Sequence, residues 1–305
     1  MLGRWYFAAQ AVAGGAWWIA VFASPVVREA TLGRLDPVLV AVLDVPLFVL
    51  ASAVAAFGVR SAAAVATAWT VLVTAGLTIY GALTGEAGWG ILLMAAATGG
   101  STIALCLMAW GRVPTEWITS RGPFAFRPAD SRAPTAAHVL ATAAQIVVFW
   151  GFFLAVVPLV LSAAEQHLRL AVPFPPGARA AGVVVFLLAS ALGVWSAAVM
   201  STRGGGTPLP AAMTNRLVIA GPYRSVRNPM ALAGIVQGAA VGPMLSSWLV
   251  IAYAVAGSLV WNFAVRPLEE SDLEARFGDD YRRYRAAVRC WWPRLPLATV
   301  RQHGE

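Results

Sequence analysis

The sequence predicts an all-α fold: a polytopic transmembrane helical bundle of about six spans, then a C-terminal helical hairpin and a cytoplasmic amphipathic segment. Three observations predict it. Of the 305 residues, 59% are hydrophobic and 12% charged. Apolar runs of membrane-crossing length recur from one end to the other, which soluble domains of this size do not show. Finally, the arginines fall overwhelmingly into alternate connecting segments, as the positive-inside rule requires.

The runs lie at 5–24, 38–58, 62–83, 88–110, 139–163 and 181–200, each near the ~20 residues a bilayer requires. The first follows a single charge, Arg4, and has no small-x-small cleavage site ahead of a soluble domain, so it reads as a retained span. Two further apolar helices, 230–242 and 246–265, are separated only by Gly242-Pro243-Met244. So tight a turn makes them a hairpin with both outer ends on one side. With the N-terminus inside, the cytoplasmic segments carry 18 arginines and the outer loops 4 (Arg28, Arg34, Arg169, Arg179), which sets both termini in the cytoplasm.

The proline-bearing stretch 111–138 is the best boundary. It separates a four-span region, 1–110, from a second region, 139–305. The first region holds no motif tied to chemistry. Its one oddity is Asp44, inside the second span, expected to be satisfied by a hydroxyl, a backbone group or Arg60, or else to contact substrate or the other half. Beyond Ala264, Leu273, Phe277, Tyr281, Tyr284 and Val288 recur at helical spacing among charges. This amphipathic segment is expected to lie on the cytoplasmic membrane surface or over the hairpin, broken at Gly278, with Asp279 suited to cap the next turn.

Composition also excludes. The formal charge of +8 comes from arginine alone, since there is no lysine. In the absence of a basic soluble domain this reflects membrane orientation and no nucleic-acid partner. Arg without Lys, with abundant Ala, Gly and Val, points to a GC-rich bacterial genome and so to the bacterial cytoplasmic (inner) membrane. Cys106 and Cys290 make no disulfide framework. No metal site is expected, and neither His138, His167 nor His303 is placed for general-base work.

Chemistry concentrates in three elements. Gly204-Gly-Gly206-Thr-Pro208 follows the sixth run; glycines permit close backbone approach and Pro stiffens the exit. Alone it reads as a flexible turn at a span end. Next comes Gly221-Pro-Tyr-Arg-Ser-Val-Arg-Asn-Pro229. Pro229 can start the hairpin helix, setting free amides beside Arg224 and Arg227 in an electropositive pocket suited to a carboxylate. Isolated arginines here commonly anchor to headgroups, but the motif around these favours a ligand. Third is Glu269-Glu270, three and four residues after Arg266. Adjacent carboxylates need a cation between them, partly Arg266 at helical spacing and partly a ligand's ammonium or hydroxyls.

This arrangement resembles the isoprenylcysteine carboxyl methyltransferase and phospholipid methyltransferase family of integral-membrane enzymes, closely over 200–295, in span arrangement over 139–200, and not over 1–138. The resemblance implies S-adenosyl-L-methionine as cofactor and methyl transfer to a lipophilic or small acceptor (carboxylate, thiol or amine) that enters from the bilayer. It implies a cofactor-binding set of Gly204, Gly206, Gly221, Pro222, Tyr223, Arg224, Arg227, Asn228, Pro229, Glu269, Glu270 and Tyr281. Arg227, Asn228 and Arg266 are the candidates at the reacting end. Arg227 and Glu270 are expected to meet across one cofactor, Arg227 on the methionine carboxylate and Glu270 on the ammonium or ribose. Two departures matter. Asn228 stands where the family commonly has His and cannot titrate, and Ala231 removes an aromatic ring, which widens the pocket. A sterol-reductase-like enzyme using NADPH is the first alternative, but its Arg-Asp-x-x-Arg-Cys type of stretch is replaced here by Arg266-Pro-Leu-Glu-Glu-Ser271. A non-enzymatic transport or partner protein is the second, without the paired broken helices of a transporter repeat.

Overall fold

A computed structural model describes residues 1–115, 134–207 and 213–293. Among them all regular elements are helical. Seven helices are long and apolar enough to cross a membrane, with one shorter apolar helix, Pro229–Leu245. The all-α, multi-pass expectation holds. The chain divides into two compact units, Met1–Pro114 with Ala163–Ala171, and Thr115–Ser162 with Val172–Glu305. The linker expected at 111–138 falls largely outside the described residues, as do Pro208 and His303.

The first unit contains α1 (Leu2–Ala23), α2 (Pro25–Leu32), α3 (Pro37–Ala56), α4 (Arg60–Thr84) and α5 (Gly88–Trp110). Their limits follow local chemistry. Ser24 accepts from the Val27 amide ahead of α2, and Asp36 accepts from Val38 and Leu39 ahead of α3, each followed by a proline at the first helical position. The unit is held by small residues that let backbones approach: Phe7 sits among Ala55, Ala63, Ala66 and Ala104. A Cβ on Gly3 would come within 2.6 Å of the Ala104 carbonyl oxygen. Contacts this close supply the dispersion that joins helices in lipid, where burial alone gives no drive.

Asp44 is buried on α3, just before a π-helical turn over Val45–Leu50. Its partners differ from all three expected from sequence. The Trp18 indole donates to Oδ2 at 2.8 Å and the Trp69 indole to Oδ1 at 2.7 Å. Two helices, α1 and α4, each aim one N–H at the carboxylate, so both oxygens are satisfied without a hydroxyl, a backbone group or Arg60.

The second unit contains most of α6 (Thr135–His167, with a π turn at Gly151–Val156), α7 (Ala178–Arg203), α8 (Pro229–Leu245), α9 (Trp248–Val260, widened to a π turn at Trp261–Val265) and α10 (Arg266–Ala287). α7 lies along α8. Gly182 allows this, since a Cβ there would meet the Ala240 oxygen at 2.8 Å, and Gln237 donates to Ser190 at 2.8 Å across the pair. α8 and α9 form the expected hairpin, but its turn is displaced. Gly242, Pro243 and Met244 remain helical, and the chain reverses at Ser246, in the left-handed region, and Ser247, whose side chain caps Val250. A proline in the last helical turn forfeits a single bond, which is tolerable at a helix end. In α10, Gly278 breaks the helix with φ +53°, as expected. Asp279 instead uses its carboxylate to accept from Arg282. The apolar face Leu273, Phe277, Tyr281, Tyr284 and Val288 packs together with Leu217.

Candidate functional site

The segment ahead of α8 is shaped by close backbone contacts. Gly204 and Gly206 lie against residues 213–214, where a Cβ on either would come within 2.5–2.6 Å of Thr214 or Met213. Gly221, with φ +53°, opens a 3-10 turn over Gly221–Arg224. That turn is anchored apolarly, with Val218, Ala220 and Tyr223 packed on Val199 and Met200 of α7. Tyr284 of α10 donates to the Tyr223 carbonyl at 2.6 Å. With the turn fixed on both sides, Arg227 and Asn228 sit at the N-terminus of α8. Asn228 caps it by accepting from the Ala231 amide at 3.1 Å, and Pro229 takes the first helical position.

Arg227 and Glu270 do meet, but directly. Arg227 Nη2 lies 2.8 Å from Glu270 Oε1, with side chains 13% and 23% exposed. Arg227 Nη1 donates to the carbonyls of Arg285 at 3.0 Å and Val288 at 3.2 Å, and its backbone amide donates to Arg289 at 3.0 Å. One arginine therefore ties the motif loop to both ends of α10. Beside it Asn228 Nδ2 donates to Glu269 at 3.3 Å, so each carboxylate of the pair has its own partner from the loop. The asymmetry has a consequence for charge. Glu270 faces a cation, whereas burial, then the neighbouring charges of Glu270 and Asp272, push the Glu269 carboxyl up to about 7. Burial also pushes up the phenols of Tyr223 and Tyr281.

Arg266 does not pair with Glu269 or Glu270, contrary to the expectation from helical spacing. Its Nε is buried and has no partner among the described residues, and the same is true of Arg227 Nε. The other arginine facing the same space, Arg276, is engaged by Asp272 at 3.3 Å and by the Thr214 carbonyl.

These groups form one end of a cavity of ≈ 490 Å³ within the second unit, the size of a small-molecule site. The polar end carries Arg227, Asn228, Arg266, Glu269, Glu270 and Tyr281. The remainder is a predominantly apolar branch between α6, α8 and α9, walled by residues such as Phe149, Phe153, Gly234, Tyr253 and Trp261. Of the residues expected to bind cofactor, Tyr223 also lines the cavity, whereas Gly204, Gly206, Gly221, Pro222 and Pro229 do not. Arg224 is exposed and outside it. Sequence reasoning missed the α6 wall. The Phe149-Trp150-Gly151-Phe152-Phe153 cluster was its visible signal, an aromatic run of which Phe149, Trp150 and Phe153 line the cavity. Met213, Thr214 and Leu217 gave no signal.

Arg227 Nε and Arg266 Nε, two buried donors without partners, and the lightly bonded Glu269 carboxyl fit the ends of a zwitterionic ligand. The methionine moiety of S-adenosylmethionine has that pattern, a carboxylate beside an ammonium. Residues 178–280 match the family model described as phospholipid methyltransferase. The matched stretch contains α7, the Gly221–Pro229 motif, the hairpin and the Glu269-Glu270 pair, so the resemblance read from the motifs is found independently there. Comparison with curated proteins and with solved structures returns no match.

Proposed function

We propose that this multi-pass membrane protein, matched over 178–280 by the phospholipid methyltransferase family, is an S-adenosyl-L-methionine-dependent methyltransferase acting on a lipophilic or small acceptor. The observation that carries the reading is the single cavity joining the Arg227–Glu270 and Asn228–Glu269 contacts to an apolar branch. A charged cofactor and an apolar acceptor can reach one another there from opposite ends. In this reading residues 139–305 form the methyltransferase domain and 1–110 a four-span region whose role lies outside cofactor binding. The polar rim and both termini face the cytoplasm of a bacterial inner membrane.

S-adenosylmethionine, when bound, supplies an electrophilic methyl on a sulfonium. The protein's share is alignment and exclusion of water. Arg266 and the Nε–H of Arg227 would hold the carboxylate. Glu269 would accept from the ammonium, while Glu270, paired with Arg227, fixes the guanidinium's position. Asn228 cannot take a proton, so it orients Glu269 and the start of α8. Such a site suits an acceptor that needs no strong base, a carboxylate or thiolate above all. Calorimetry on detergent-purified protein tests the reading. Binding of S-adenosylmethionine without binding of NADPH is expected, and the reverse pattern would replace it with a reductase.

A further inference from the structure

We infer that Gly234 and Gly257 set the gauge of the cavity's apolar branch and so select the acceptor, an amphiphile whose hydrocarbon tail passes between these positions and stops at Gly238 and Ala254; this rests on the methyltransferase reading above. The glycines inside the helices of the second unit divide by what a Cβ would meet. A Cβ on Gly182, Gly193 or Gly242 would strike a neighbour at 2.3–2.9 Å, so close packing accounts for those three. Gly151, Gly234 and Gly257 have nothing within 4 Å of the place a Cβ would occupy, but of the three Gly234 and Gly257 alone line the cavity. Glycine inside a helix costs roughly 0.5–1 kcal/mol relative to alanine, and here no packing contact explains it. What the two positions keep open is the branch itself.

The hairpin geometry gives the branch a floor and a mouth. A Cβ on Gly238 would meet Ala254 Cβ at 3.3 Å and Leu154 Cδ2 at 3.8 Å, so α8 and α9 close on one another there. One helical turn nearer the rim, Gly234 and Gly257 leave the space between them empty. Nearer still, Ala231 lines the cavity with a single methyl group. From Asn228 to Gly238 is ten residues, a depth of about 15 Å at the α-helical rise. The α6 wall is pinned by Tyr253, whose hydroxyl donates to the Phe153 carbonyl at 3.3 Å, and the branch meets the polar end at the unpartnered Arg266 Nε. A tail on one side of the reacting group and a charged cofactor on the other are what this shape accommodates.

The test uses the full-length protein with tritiated-methyl S-adenosylmethionine and a polar-lipid extract of membranes. Gly234→Leu and Gly257→Leu each fill the branch without displacing backbone. Gly76→Leu makes the same change in α4, where a Cβ also meets nothing within 4 Å, and serves as the control. Expected are organic-soluble labelled product from the parent and from Gly76→Leu, a ten-fold or greater loss in both cavity variants, and S-adenosylmethionine affinity within two-fold of the parent in all of them. Equal labelling by parent and cavity variants overturns the gauge and leaves the methyltransferase reading standing. Label that appears only in water-soluble products overturns the tail. A parent that does not bind S-adenosylmethionine overturns the methyltransferase reading itself, and the gauge with it.

Discussion

Replacing Arg227 by alanine should loosen the C-terminal helix before it affects anything else. Three interactions go at once: the shared Nη1 donation to the carbonyls of Arg285 and Val288, and the Nη2 pair with Glu270. A hydrogen bond from a charged group contributes about 1.5–3 kcal/mol, and we count the forked Nη1 contact once. The ion pair, with side chains 13% and 23% exposed, lies between the 0.2–1 kcal/mol or so of exposed pairs and the roughly 3–5 kcal/mol lost when a buried pair is broken; about 1–2 kcal/mol is reasonable. The sum is about 2.5–5 kcal/mol of local stability, or on the order of a hundred-fold or more in an opening equilibrium at ~1.4 kcal/mol per decade. Hydrogen exchange on the full-length protein in detergent reads it. Peptides across 281–293 should exchange about a hundred-fold faster in Arg227→Ala, with those from 60–84 unchanged. Glu270→Gln keeps the Nη1 contact and should show a smaller increase, and Arg224→Ala, at an exposed position, none. Exchange across 281–293 within three-fold of the parent in Arg227→Ala would refute the idea that this arginine fastens α10.

The Glu269 carboxyl, raised to about 7 in the fold from its ordinary 4.5, binds a proton the unfolded chain has lost. Stability therefore falls as pH rises from 4.5 through about 7, and melting temperatures between pH 5 and 8 should decline more steeply in the parent than in Glu269→Gln. In the first unit, Trp18→Phe or Trp69→Phe strips one donor from the buried Asp44 carboxylate, an expected loss of about 1–3 kcal/mol that thermal unfolding should register and the added Asp44→Leu change should partly restore. Gly278→Ala faces open space but holds φ +53° and ψ −126°, a region costing about 1–3 kcal/mol for other residues; faster hydrogen exchange around 274–284 with an unchanged first unit is the expected result.

The spans were legible because hydropathy and length decide them locally. The hairpin was legible too, but Gly242-Pro243 read as its turn because both residues disfavour helix; at a helix end they cost little, and the capping hydroxyl of Ser247 decided the matter. The nearness of Arg227 and Glu270 followed from hairpin topology, whereas their direct contact did not, since it depends on where residues 285–288 return. Those carbonyls take up Nη1 of the guanidinium that sequence reasoning assigned to the methionine carboxylate. The partners of Asp44 lie 26 and 25 positions away on separate helices, and no local pattern announces them. The three π turns among the described residues, two of which wall the cavity, leave no periodic signature at all.

The displaced turn of the hairpin bears on how deep that element sits. α8 has 17 residues, about 25 Å at the helical rise, against a hydrocarbon thickness of about 30 Å. A turn stranded short of the far headgroups would ordinarily be prohibitive, since exposed peptide groups find no water there. Here the reversal is closed on itself: the Ser246 amide donates to Pro243, the Ser247 amide to Gly242, and the Ser247 hydroxyl accepts from Val250. The pair can thus behave as a re-entrant wedge that never surfaces on the opposite side, and a thicker host bilayer would be expected to dimple over its tip.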